Sequence, residues 1–112
     1  MNPDAPCLFL GRWQPWHDGH KALVETKLKQ GKSVVIGIRD TPKSDKNPYS
    51  YFDRYTMISE SLEQWGDKVE IFKTPDFSSI CWGREVGYTF EQISLTPELE
   101  AISGTKIRES LK

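Results

Sequence analysis

Cysteine is scarce: Cys7 and Cys81 are the only two in 112 residues. That removes a disulfide framework and any paired Cys-x-x-Cys clasp from the architecture. Both lie in apolar runs, so the expectation is two reduced, buried strand residues. Long apolar runs are missing as well. Nothing is long enough to span a bilayer, and no charged-then-apolar leader opens the chain, so a cytoplasmic protein without membrane contact is expected. Charge of one sign is also lacking. Fifteen basic residues nearly balance sixteen acidic ones, for a net charge of -1. A broad nucleic-acid surface is therefore not indicated, and any recognition of phosphate should be local. Repeats and low-complexity segments are absent.

What is present is one domain of 1–112, with 37% hydrophobic and 28% charged residues, an ordinary soluble balance. Aromatic residues are plentiful, with four tryptophans. Two of these, Trp13 and Trp16, flank a turn that also carries the chain's two histidines, His17 and His20.

Cys7-Leu8-Phe9-Leu10 shows no polar alternation and suits a strand buried in a parallel sheet. A helix should follow, with Asp18 as N-cap, Ala22, Leu23 and Leu28 in its apolar stripe, and Gly31 ending it. Ser33–Ile38 is the clearest strand, being β-branched and continuous. Strand, helix and strand in this space make a βαβ unit. The polar loop Arg39–Ser50 is long for a compact domain, and it leaves the carboxyl end of a strand, where open α/β sheets bind ligands. Ser50 and Asp53 are placed to cap a helix over Tyr51–Gln64, whose apolar face is Met57, Ile58, Ser61, Leu62 and Trp65. Further strands are expected at Lys68–Phe72, Ser78–Trp82 and Tyr88–Ile93, and Leu95–Glu100 reads as a polar connection. The last segment, Ile102–Leu111, reads as a second helix start, with Ser103 as N-cap and Gly104 permitting close approach.

A helix start offers unpaired N–H groups and partial positive charge, so two imidazoles beside one make a phosphate site. A preplaced imidazole N–H stabilises charge that builds on a phosphate oxygen during displacement at phosphorus. Gly19 lets a ligand approach the backbone. Lys43, Lys46, Arg54, Lys106 and Arg108 could neutralise phosphate charge. Plainer readings stand beside these. The histidines could be surface residues, or zinc ligands together with Cys7 and Cys81. Arg54, Lys43 and Lys46 could be solvated charges, and Ser103-Gly104-Thr105 an ordinary helix cap. Trp13 and Trp16 could be core packing.

The combination resembles a family. Gly11-Arg12-Trp13-Gln14-Pro15-Trp16-His17-Asp18-Gly19-His20 is similar to the His-x-Gly-His signature of the nucleotidyltransferases, which include nicotinamide mononucleotide (NMN) adenylyltransferases, pantetheine-phosphate adenylyltransferases and glycerol-3-phosphate cytidylyltransferases. Its lead-in most resembles the archaeal-type NMN enzymes. Ile102-Ser103-Gly104-Thr105-Lys106-Ile107-Arg108 resembles the second signature, Ile-Ser-x-Thr-x-Ile-Arg, and Asn47-Pro48-Tyr49 with Asp53-Arg54 resembles the opening of the middle helix.

The resemblance implies a Rossmann-like α/β fold, an open parallel sheet of about five strands with helices on both faces. It implies in-line transfer of a nucleoside monophosphate, AMP favoured, from ATP or CTP to a phosphate group on a small acceptor, with pyrophosphate released. Carried over by motif, His17 and His20 stabilise the transition state, with Lys46 and Arg54 as further catalytic positions. Gly11, Arg12, Trp13, Gly19, Ser103, Gly104, Thr105 and Arg108 would hold the nucleotide. Arg84, in the stretch Trp82–Tyr88, is a candidate contact for the acceptor phosphate. Magnesium is expected with the triphosphate and not in a protein-built metal site. A homo-oligomer is expected by analogy. The alternatives are a cytidylyltransferase acting on a small alcohol phosphate such as glycerol 3-phosphate, or a nucleotide-binding module without catalysis. Glu98-Leu99-Glu100-Ala101 stands where the cytidylyltransferase branch has an arginine, which weighs against that branch.

Overall fold

The computed structural model describes residues 5–81, 83–84, 87, 89–100 and 107–108. Three strands build the sheet: β1 (Cys7–Gly11), β2 (Val34–Arg39) and β3 (Val69–Thr74). Helix α1 (Asp18–Leu28) connects the first two, and α2 (Tyr51–Ser61) with a short 3-10 segment at Glu63–Lys68 connects the second pair. Both strand pairs are parallel, in the order β1-β2-β3, with Phe9, Ile36 and Ile71 in one row. A four-residue helix, α3 (Pro97–Glu100), lies within the expected polar connection.

β2 is central because its sequence tolerates burial on both sides. Val34, Ile36 and Ile38 alternate onto one face and are almost wholly buried. They join Val24 and Leu28 of α1, together with Ile58 and Leu62 near α2, in one core. Each helix thus delivers a pair of apolar residues four apart, which share a helix face. In α1 the pair is Val24 and Leu28, so the stripe lies slightly off the expected Ala22-Leu23-Leu28 line. Among the described residues both long helices, α1 and α2, build on this face; the last expected helix, over Ile102–Leu111, lies outside the described residues except for 107–108. On the opposite face Leu10, Gly37 and Phe72 form a row, and a Cβ on Gly37 would stand 2.5 Å from the Leu10 side chain. Only glycine lets that row close. Trp65 ties the two crossovers together, its Nε1–H donating to Glu25 Oε2 at 3.0 Å.

Two expected strands are not formed among the described residues. The sheet has three strands among the described residues instead of about five. Residues 78–81 and 89–93 are not strands, because apolar alternation alone does not supply a partner ladder for the backbone. Glu91 instead reaches α1 through an ion pair with Lys27 at 2.6 Å. Consequently Cys81 is exposed and outside any strand, while Cys7 is half-buried in β1; both are free thiols. No helix among the described residues is long and apolar enough to cross a membrane.

Candidate nucleotide site

The β1–α1 turn leaves the carboxyl end of a parallel strand, and its geometry follows from one bulky ring. Trp13 takes a positive φ of 53°, a region non-glycine residues seldom adopt. Its indole lies over Gly11, where a Cβ would come within 2.8 Å of the ring. Its Nε1–H donates to the Gly37 carbonyl at 3.0 Å. The ring thereby bridges the ends of β1 and β2, and it is both core residue and wall of the cleft.

His17, not Asp18, is the N-cap of α1. Its Nδ1 accepts from the Gly19 N–H at 3.1 Å, and the His17 N–H donates to Nδ1 of His20 at 3.3 Å. This is a reciprocal capping arrangement made by two imidazoles in place of the usual hydroxyl and carboxylate. Asp18 falls in the first turn, where its charge suits the helix dipole. The rings stack at 3.6 Å between centroids, and Trp13 meets His20 edge-on at 4.8 Å.

That geometry settles protonation. Each Nδ1 is an acceptor, so the neutral ring carries its proton on Nε2. Burial lowers the His20 pKa to about 3, with the neighbouring His17 adding to the shift. Burial lowers that of His17 too, partly opposed by Asp18. At neutral pH the helix start presents two uncharged Nε2–H donors.

A cleft of about 370 Å³ opens beside this turn, lined by Gly11, Arg12, Trp13, Gln14, His20 and Arg108, among others; of the two histidines it is His20 that lines it. Arg12 donates through Nη1 to the Asn47 side chain at 3.2 Å, across the β2–α2 loop. Arg108, from the second signature, reaches the main-chain carbonyl of Gln14 through Nη1. The structure thus brings together Gly11, Arg12, Trp13, Gly19, His17, His20 and Arg108. Ser103, Gly104 and Thr105 lie outside the described residues. Lys46 is exposed on the β2–α2 loop, beside Asn47. Arg84 is exposed as well.

Arg54 is placed otherwise than expected. It is 0% exposed, and its guanidinium is turned into the protein. Nη1 donates to the carbonyls of Arg12 and Arg39, both at 2.7 Å, and Nε to that of Ser50 at 3.1 Å. Burial lowers its pKa, with Asp40 opposing. The side chain braces the loops that frame the cleft and does not open into it. Gln14 is the residue that motif reading passed over. It is 3% exposed and pairs with Thr41 and Tyr49 across the loop.

The cytidylyltransferase-like family model matches residues 8–86, which include the capped histidine turn and both crossovers. The chain belongs to this cytidylyltransferase-like family. Among its relatives, the nicotinamide-nucleotide adenylyltransferase of Methanolobus tindarius is 32% identical over 98 residues, covering 86% of this chain and 54% of that protein. The enzyme of the same name from Methanococcus maripaludis strain C5 is 30% identical, covering 94% of this chain and 77% of its own length. This chain thus spans about half the length of the Methanolobus relative. A solved structure is also similar: a bifunctional NMN adenylyltransferase/ADP-ribose pyrophosphatase from Francisella tularensis, complexed with AMP and a manganese ion. It has a TM-score of 0.56 and 35% identity, over 62% of this chain and 22% of that one. As a family member, the chain has its cleft at the carboxyl ends of parallel strands, the usual ligand position in such sheets.

Proposed function

We propose that this chain carries the catalytic site of an adenylyltransferase, which moves AMP from ATP to a phosphate group on a small acceptor. The observation that carries this reading is the pair of stacked, neutral histidines with both Nδ1 atoms engaged, which leaves Nε2–H as the donor of each ring, and with His20 lining the cleft. An acceptor phosphate oxygen attacks the α-phosphorus. The bond from that phosphorus to the bridging oxygen breaks, and pyrophosphate leaves. Charge grows on the oxygens around phosphorus, and fixed N–H donors stabilise it more than they stabilise bound ATP. The positive end of the α1 dipole lies at the same place, while the Gly19 N–H is itself engaged by His17 Nδ1. Arg12 and Arg108 bring positive charge to the cleft.

Magnesium on the triphosphate would share the neutralisation. Phosphate oxygens and water would hold it. Nicotinamide mononucleotide is the acceptor suggested by the names of the relatives. Lys46 and Arg84, both exposed, are proposed to meet phosphates as substrates bind, and Ser103, Gly104 and Thr105 to hold the β and γ phosphates.

The test is a pyrophosphate-release screen crossing ATP, CTP, GTP and UTP with phosphorylated acceptors that include nicotinamide mononucleotide and glycerol 3-phosphate. Release with ATP and nicotinamide mononucleotide supports the proposal. Release with CTP and glycerol 3-phosphate favours the cytidylyl alternative. Triphosphate binding without release under every pairing leaves a non-catalytic binding module.

A further inference from the structure

Gln14 makes a two-sided pairing with one residue of a distant loop. Its Oε1 accepts from the Tyr49 N–H at 2.9 Å, and its Nε2 donates to the Tyr49 carbonyl at 2.9 Å. The second Nε2 hydrogen goes to Thr41 Oγ1 at 3.1 Å. The amide therefore imitates a neighbouring strand for Tyr49 and pins the loop at both ends, Thr41 and Tyr49. Between these pins lie Lys46 and Asn47, and Asn47 receives the Arg12 guanidinium. The Gln14 main chain meanwhile accepts from Arg108. One buried residue in the histidine turn thus joins two segments that approach the cleft from elsewhere in the sequence.

The chemistry is specific to glutamine. Glutamate lacks the two donors, asparagine is a methylene shorter, and methionine matches the length without either polar group. A buried network in which every arm is satisfied fixes one arrangement of its partners. We infer that Gln14 is a positioning residue: it latches the β2–α2 loop to the histidine turn, so that Lys46 is held where it can meet a triphosphate in the cleft. This rests on the reading of that cleft as a triphosphate site.

The test combines two measurements on the full chain: amide hydrogen exchange over residues 41–49, and ATP affinity followed by tryptophan fluorescence. The proteins are the wild type, Gln14→Met, Lys46→Ala and the double variant. In Gln14→Met, exchange at Tyr49 should quicken by about tenfold or more, as local opening becomes easier. ATP affinity should weaken about tenfold. Lys46→Ala should weaken ATP binding in the wild-type background, and should add less than about twofold once Gln14 is gone, since coupled residues are not additive. Unchanged exchange at Tyr49 overturns the latch. A Lys46 effect that is absent in the wild type, or undiminished without Gln14, overturns the positioning role. Should Gln14→Met not fold, Thr41→Val removes one pin alone and is read by the same criteria. If the wild type binds no ATP, the proposed function fails, and exchange at Tyr49 alone then decides whether the latch exists.

Discussion

His17 and His20 cap one helix end together, each using Nδ1 as an acceptor, with their rings stacked 3.6 Å apart. Protonating either Nδ1 removes a cap hydrogen bond and places a charge against the other ring. The consequence is a pH dependence of folding. Unfolded histidines titrate near pH 6.5, while the folded values lie lower, about 3 for His20. Between those limits the unfolded chain binds more protons, so stability falls as pH drops below about 6.5. These are the only two histidines, so between about pH 5 and 6.5 the side-chain contribution belongs to them. Urea unfolding from pH 7.5 to 5 should show the loss, and His20→Gln should flatten it. A curve that is flat in the wild type would contradict neutral, buried imidazoles.

Arg54 should matter for stability before it matters for chemistry. Arg54→Met leaves the carbonyls of Arg12, Arg39 and Ser50 without their buried donor. The expected cost is about 3 kcal/mol in urea unfolding. Arg54→Lys should recover only part of it, because one ammonium does not reproduce the guanidinium fork. A change below about 0.5 kcal/mol, as for an exposed charge, would refute the brace.

Gly11 and Trp13 should behave as a coupled pair. Gly11→Ala drives a Cβ against the indole at 2.8 Å, and overpacking of that kind costs about 1–3 kcal/mol. In a Trp13→Ala background the ring is absent, so Gly11→Ala should cost much less. Additive effects in a double-mutant cycle would show that the ring moves aside freely.

The parallel frame was legible because β2 is a continuous β-branched run between turn signals, and the helices on either side have clear ends. The missed features are those that local pattern does not encode. Gln14 meets Thr41 and Tyr49 across a loop, a pairing invisible to any short window. His17 was passed over as a cap because Asp18 beside it is the commoner choice. Arg54 carried a usable signal. It lies four residues before Ile58 and eight before Leu62, on the face that is buried. Phe52, by contrast, is 74% exposed, and it stands outside the expected apolar face of Met57, Ile58, Ser61, Leu62 and Trp65.

If the histidines act on the transition state more than on bound ATP, His20→Ala should separate the two effects. Single-turnover rates and ATP affinity would be measured on the same protein, with folding checked by its melting curve. The rate should fall by on the order of a hundredfold or more, with ATP affinity within about threefold of wild type. An unchanged rate, or a loss confined to ATP affinity, would contradict that role of the histidines.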